Sequence, residues 1–164
     1  MKRFLSIAFV LAACGPGVQG GPTMNNKIGP QPYQAATSSV VSQDILAREP
    51  VANTALVKHI LISWKDLGDA FNGRQDERGQ KRTKQEAEAE VRSLMTQLKG
   101  GADFEVLMKA HSEDVGSASG NVPFTVTPDA QLVIEFRQLA LRLNPGEIGV
   151  CQSEFGFHII KRYQ

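Results

Sequence analysis

Between Leu56 and Tyr163 the apolar residues alternate between strand-like runs and helix-spaced stripes, and that order limits the chain to a mixed fold. Leu56 to Trp64 is a β-branched apolar run bounded by polar turns, which predicts a buried strand. Thr83-Lys84-Gln85-Glu86 is a capping-box signature. The helix it opens carries Ala87, Val91, Leu94, Met95 and Leu98 on one face and stops at Lys99-Gly100-Gly101. Asp103 caps a second helix with Phe104, Val106, Leu107 and Ala110. Val122 to Thr127 reads as a strand, and Pro128-Asp129 opens a helix in which Leu132, Val133, Phe136, Leu139, Ala140 and Leu143 recur at helical spacing. After the Asn144-Pro145-Gly146-Glu147 turn, Ile148 to Gln152 and Phe157 to Tyr163 form a hairpin. Lys65 to Lys81 and Ser112 to Gly120 read as loops. The expected order is β-α-α-β-α-β-β, an α+β domain with a small, mostly antiparallel sheet.

This pattern occupies residues 53–164. The 164-residue chain holds one domain of that size and a tail, not two domains. The tail opens with Lys2 and Arg3 and the apolar run Phe4 to Ala13. Ten residues fall short of the roughly 20 that span a bilayer as a helix, so 1–13 read as a signal peptide. Leu11-Ala12-Ala13-Cys14 resembles a bacterial lipobox, which implies acylation of Cys14 and a lipid anchor. Gly15 after the cysteine favours the outer membrane, so the expected location is the bacterial cell envelope, facing the periplasm. Residues 14–52, rich in Gly, Pro, Gln, Asn and Ser, read as the lipidated cysteine and a flexible tether, in which Ser38 to Arg48 could form a short helix.

Lys plus Arg is 18 and Asp plus Glu is 17, so no global field favours a nucleic-acid partner. The two cysteines cannot staple the fold, and no Cys/His spacing matches a zinc site. Cys151 is left as a lone, inert, buried thiol, and His111 as a cation at a helix end. The loop before the first helix holds Arg74, Arg78, Lys81, Arg82 and Lys84 against Asp76 and Glu77. It is either a solvated loop or an anionic subsite, for which Lys81 and Arg82 are the candidate residues.

Three segments in order, VKHILIS, RTKQEAEAEVRSLMTQLKGGADFEVLMKAHSED and LNPGEIGVCQSEFGFHIIKRY, resemble the parvulin peptidyl-prolyl isomerases. The resemblance spans nearly all of residues 56–163. It implies a four-stranded sheet flanked by helices, with an active site on its concave face for an extended, proline-containing peptide. It places His59 and His158 as the paired histidines of the family and Asp114 where parvulins carry Cys or Asp. Leu132 and Phe136 fall on the pocket for the proline ring, and Val122 on a third pocket position. The chain departs from the family at Ser119-Gly120-Asn121-Val122-Pro123, where many members have Gly-Gly-Asp-Leu-Gly, and in about two extra residues before Phe136. Both changes border the pocket.

The implied activity is isomerisation of X–Pro bonds in exported proteins by a monomer that uses no cofactor and no metal. Rotation about a peptide bond is opposed by a barrier of about 18–20 kcal/mol, and catalysis requires only that the twisted amide be bound better than either planar form. His59, Asp114 and His158 then act through hydrogen bonds and charge. Two alternatives remain: a non-catalytic peptide-binding chaperone or envelope adaptor of the same fold, and metal binding by those three residues. No nucleophile elbow points to a hydrolase.

Overall fold

The computed structural model describes residues 38–119 and 122–164. The expected signal peptide, Cys14 and the part of the expected tether up to residue 37 lie outside the described residues, as do Gly120 and Asn121. Strands β1 (Ala55–Ile62), β2 (Phe124–Val126), β3 (Ile148–Ser153) and β4 (Gly156–Arg162) form one antiparallel sheet in the order β2-β1-β4-β3. The helices are α1 (Gln43–Leu46), α2 (Glu77–Lys81), α3 (Lys84–Lys99), α4 (Phe104–His111), α5 (Val115–Ser119) and α6 (Ile134–Ala140).

The sheet has two different faces because strand side chains alternate. Ile60, Ile62, Phe157, Ile159 and Val150 point to α3 and α4, where they pack on Val91, Leu94, Phe104 and Met108. Val57, Ile160 and Cys151 point the other way, to Phe136, Leu139 and Ala140 of α6. His59, Leu61, His158 and Ser153 occupy this second face by the same alternation. The second face is therefore shared between a core under α6 and an open pocket.

Local chemistry explains the helix ends. The capping box forms: Thr83 Oγ1 accepts from Glu86 N while Glu86 Oε2 accepts from Thr83 N. Asp103 caps α4 through the amides of Glu105 and Val106.

Four expectations are corrected. The Lys65–Lys81 segment is not a plain loop: it holds a 3-10 turn over Lys65–Phe71 and then α2, capped by Asp76. Neither piece carries an apolar stripe, since Gly79 is the only buried residue of the two, so periodicity could not show them. Ser112 to Gly120 likewise contains α5. The last helix begins at Ile134 rather than at Pro128, because Thr127 Oγ1 donates to Asp129 and the Arg137 guanidinium bonds the carbonyls of Pro128 and Ala130, holding that stretch as a turn. In α4, Met108 is buried and Val106 is exposed, so the helix is rolled relative to the predicted stripe.

Packing also starts earlier than Asn53. Val41 and Ile45 are buried, Ser42 N donates to Val150 O (2.9 Å) and Ser42 Oγ accepts from Val150 N (3.0 Å). A short stretch, with Val40 and Leu46 packed beside those two buried residues, thereby covers part of the β3 edge. Arg48 adds a two-pronged bond to Glu147 at 2.8 and 2.9 Å.

Candidate active site

His59 in β1 and His158 in β4 sit on adjacent strands, displaced by two residues in register: His59 faces Ile160 and Leu61 faces His158. That diagonal brings their rings within reach on the shared face. The rings stack with centroids 5.4 Å apart, and Nδ1 of one lies 3.3 Å from Nδ1 of the other. Ser153 Oγ is 2.7 Å from His158 Nε2, and Asp114 Oδ2 is 3.1 Å from His59 Nε2. Asp114 Oδ2 also accepts from Ser117 Oγ at 2.5 Å and Ser117 N at 3.1 Å.

With both rings neutral, proton counting leaves one arrangement. The ionised Asp114 only accepts, so His59 Nε2 must donate to it. His59 Nδ1 is then an acceptor, His158 Nδ1 its donor, and His158 Nε2 the acceptor of the Ser153 hydroxyl proton. Ser153 Oγ itself accepts from Phe155 N at 3.1 Å. A single file of donors thus runs from the β3–β4 turn to the Asp114 carboxylate. Every imidazole nitrogen is engaged by another protein group. Among the described residues no group of three His, Cys, Asp or Glu is placed to hold one.

The hairpin turn that carries Ser153 requires glycine after it. Gly156 has φ +135°, and a Cβ there would lie 2.4 Å from Ile62 O. The glycine lets β4 pass closely over the end of β1, so that the turn reaches His158.

Electrostatics follow from burial. Hydrogen bonding to His59, and then to Ser117, holds the Asp114 carboxyl well below the usual carboxylate range against the opposing effect of desolvation. Burial, and secondarily the neighbouring His59, pushes His158 down to about 3. Burial pushes the Cys151 thiol up, away from reactivity.

The His158 shift makes stability pH-dependent. The unfolded chain takes up this proton near its ordinary pKa of 6.5 and the folded chain only near 3, so stability is full above about 6.5 and declines as pH falls toward 3. Asp114, depressed below its ordinary 3.8, adds a loss of the same sign below that pH. From pH 6.5 to 4.5 the His158 contribution alone is about 2 kcal/mol. Urea midpoints taken across that range should fall accordingly; constant midpoints would show that His158 is not a buried neutral ring.

The network opens onto a cavity of about 460 Å³. Leu132 and Phe136 line it as expected, together with Phe124. The His59 ring meets Phe124 and Phe136 edge-on at 5.3 and 5.0 Å, so the imidazole is also a wall of the apolar pocket.

Val122 does not line the cavity. It is 82% exposed, and Phe124, two residues on and inside β2, supplies that wall instead.

Lys81 and Arg82 are not at the pocket either. Lys81 is exposed and pairs with Glu77 one turn back on α2, at 3.4 Å. Arg82 is turned inward, bonded to Glu113, to Glu90 (2.8 Å) and to Ser63 O (2.9 Å). The basic segment instead contributes Arg74 to the pocket wall, with no ion pair among the described residues.

Sequence reasoning missed Ser117, Ser153, Phe124, Phe71 and Arg74. Ser153 was findable: counting back by twos from the Ser153–Gly156 turn puts it beside Cys151 on the His158 face. Ser117 was not, because nothing in Ser112 to Gly120 marks a helix.

Comparison with known proteins identifies the family and the fold. Residues 43–163 match the family described as the PPIC-type PPIase domain. The chain belongs to that family. Its domain has the parvulin fold: TbPIN1 superposes with a TM-score of 0.58 at 21% identity, covering 70% of this chain and 100% of that one. The peptidyl-prolyl isomerase ESS1 from Candida albicans gives 0.56 at 20% identity, covering 68% and 63%. Among curated proteins, the chaperone SurA of Saccharophagus degradans is 29% identical over 116 residues, 70% of this chain and 24% of that one. The foldase protein PrsA of Geobacillus kaustophilus is 25% identical over 122 residues, 74% and 43%. The chain thus spans about a quarter of the length of the first of these relatives and under half of the second. The parvulin-type domain accounts for most of the described residues.

Proposed function

We propose that the chain is a peptidyl-prolyl cis-trans isomerase that lowers the rotation barrier of X–Pro bonds without covalent chemistry. The observation that carries the reading is the file Ser153, His158, His59, Asp114 and Ser117 ending at an apolar pocket walled by Phe124, Leu132 and Phe136. The pocket grips the pyrrolidine ring. The planar amide is charge-separated by resonance and the twisted amide much less so. A dry wall with a fixed carboxylate disfavours the planar form and leaves the twisted one relatively better bound. Two fixed imidazoles keep that carboxylate ionised and in place.

Residues 1–13 act as a signal peptide, Cys14 carries the lipid, and the segment up to residue 37 is the leash. That puts a monomeric foldase at the bacterial envelope, probing exported polypeptides for slow proline steps. The names foldase and chaperone borne by its relatives favour such clients. The test is isomerisation of an Ala-Pro peptide by the full chain, followed by protease-coupled or NMR exchange kinetics. Acceleration over the spontaneous rate supports the enzyme. Saturable peptide binding with no acceleration would replace it with the peptide-holding chaperone, a reading favoured by the exposure of Val122 beside the pocket.

A further inference from the structure

Residues 38–51 precede β1, and none of the cavity-lining residues comes from them. They form a strap around the β3 edge. Val41 is buried with the side chains under α3 and α4, and Ile45 with the cluster on the opposite face that also holds Phe136, Leu139 and Leu143. Gly149 in β3 makes room for Ile45. A Cβ there would stand 3.1 Å from Ile45 Cδ1, 3.1 Å from Leu139 Cδ1 and 3.2 Å from Leu143 Cδ2. Strap, strand and the α6 region thus meet in close packing, which transmits a displacement to the next side chain.

Polar ties fix the same contact. Val51 N donates to Leu141 O (2.9 Å) and Arg142 Nε to Arg48 O (2.7 Å), so two hydrogen bonds join the strap to the residues that follow α6. Arg48 Nη1 reaches both carboxylate oxygens of Glu147, in the turn leading into β3. Phe136 and Leu139 are three residues apart and share one face of α6. The helix has seven residues, about two turns, so it moves as one piece. One end of that face is seated by the strap. The other end carries the Phe136 ring, edge-on to His59 at 5.0 Å and to His158 at 5.5 Å.

Resting on the isomerase reading, we infer that Ile45 and Arg48 are positioning residues: the strap seats α6 and thereby sets how closely Phe136 closes the pocket on the proline ring. Neither side chain touches the substrate. Loosening either one lets α6 shift along β3, and the pocket loses its grip on the ring while the hydrogen-bond file from Ser153 to Asp114, held by β1, β4 and α5, stays in place. The strap therefore acts on binding and not on the rotation step.

The three histidines give a direct readout in ring-proton NMR spectra of the full chain. Ile45→Ala and Arg48→Ala should each shift the His59 and His158 signals, because both rings lie in the ring-current field of Phe136. The His111 signal should stay, since that ring pairs with Glu90 of α3 at 3.2 Å, away from α6. On an Ala-Pro peptide KM should rise about fivefold for Ile45→Ala and about twofold for Arg48→Ala, with kcat within about twofold of native. Ile45→Leu, of nearly equal volume, should keep KM near native. A strap that merely supports the fold gives the opposite pattern: partial unfolding lowers the apparent kcat, leaves KM alone and leaves the histidine signals of the folded form unmoved. Arg48→Ala, which removes a half-buried ion pair, decides if Ile45→Ala does not fold. Unmoved His59 and His158 signals, or an unchanged KM, in the folded alanine variants would overturn the inference while leaving the isomerase standing. If the native chain isomerises no peptide, the isomerase reading fails instead, and the histidine shifts together with the Kd of the same peptide decide the role of the strap.

Discussion

His59→Ala and Asp114→Ala will each lower kcat/KM on an Ala-Pro peptide by about a hundredfold or more. The two side chains are joined at 3.1 Å, and each loses its meaning without the other. Without His59, the carboxylate loses its largest stabilising bond and His158 loses its Nδ1 partner inside a buried site. Without Asp114, nothing fixes which His59 nitrogen carries the proton, and the charge beside the amide is gone. Because both act through one file of hydrogen bonds, the double variant should be little worse than either single one. Ser117→Ala should give a milder loss, since Asp114 keeps the backbone amide and His59. Full activity in both single alanine variants would refute the electrostatic assignment.

The second large effect concerns stability rather than turnover. Glu113→Ala and Arg82→Ala should each cost about 3–5 kcal/mol, read from urea unfolding. The Glu113 side chain is fully buried and that of Arg82 is 11% exposed. Glu113 Oε2 also accepts from Ser63 N (2.8 Å) and Ser63 Oγ (2.5 Å), and Gln75 Nε2 donates to Ser63 Oγ (3.2 Å) and Trp64 O (2.8 Å). Gly79 is part of the same closure: a Cβ there would fall 2.0 Å from Ser63 Oγ. Removing Arg82 leaves the Glu113 carboxylate buried without a cation, and removing Glu113 leaves Arg82 on Glu90 and the Ser63 amide without its acceptor. Replacing both by apolar residues should recover only part of the loss, because the Ser63 amide would still lack its acceptor. A cost below about 1 kcal/mol for both single variants would make the pair a surface-like contact.

This cluster sits directly before Asp114 in sequence and clamps the 65–82 segment onto the end of β1. It turns the Arg82 guanidinium inward, onto Glu113 and Glu90. In the sequence it was one cation among five, and no pattern distinguishes an arginine that turns inward from one that faces solvent. Its partners, Glu90 and Glu113, come from α3 and from the segment after α4, so only packing could join them.

The elements with strong periodicity were legible for a local reason. The α3 stripe, the Thr83 capping box, the Asp103 cap and the final hairpin depend on neighbours within a few residues, which the chain itself displays. His59, His158, Asp114, Leu132 and Phe136 were legible only together, as spaced motifs resembling a family. The tertiary structure decided what distance in sequence hides. It exchanged Val122 for Phe124 because β2 begins only at Phe124, which pairing with Val57 holds at the cavity, while Val122 lies outside the strand. It joined Ser117 and Ser153 to opposite ends of one proton file, and set Phe71 across from Phe155 through a chain reversal at Asn72 and Gly73. Local order follows from propensity, capping and period, which act over a turn or two. A site of this kind is a meeting of side chains 50 to 100 residues apart, and their contact follows from strand register and helix roll, which packing fixes across the whole domain.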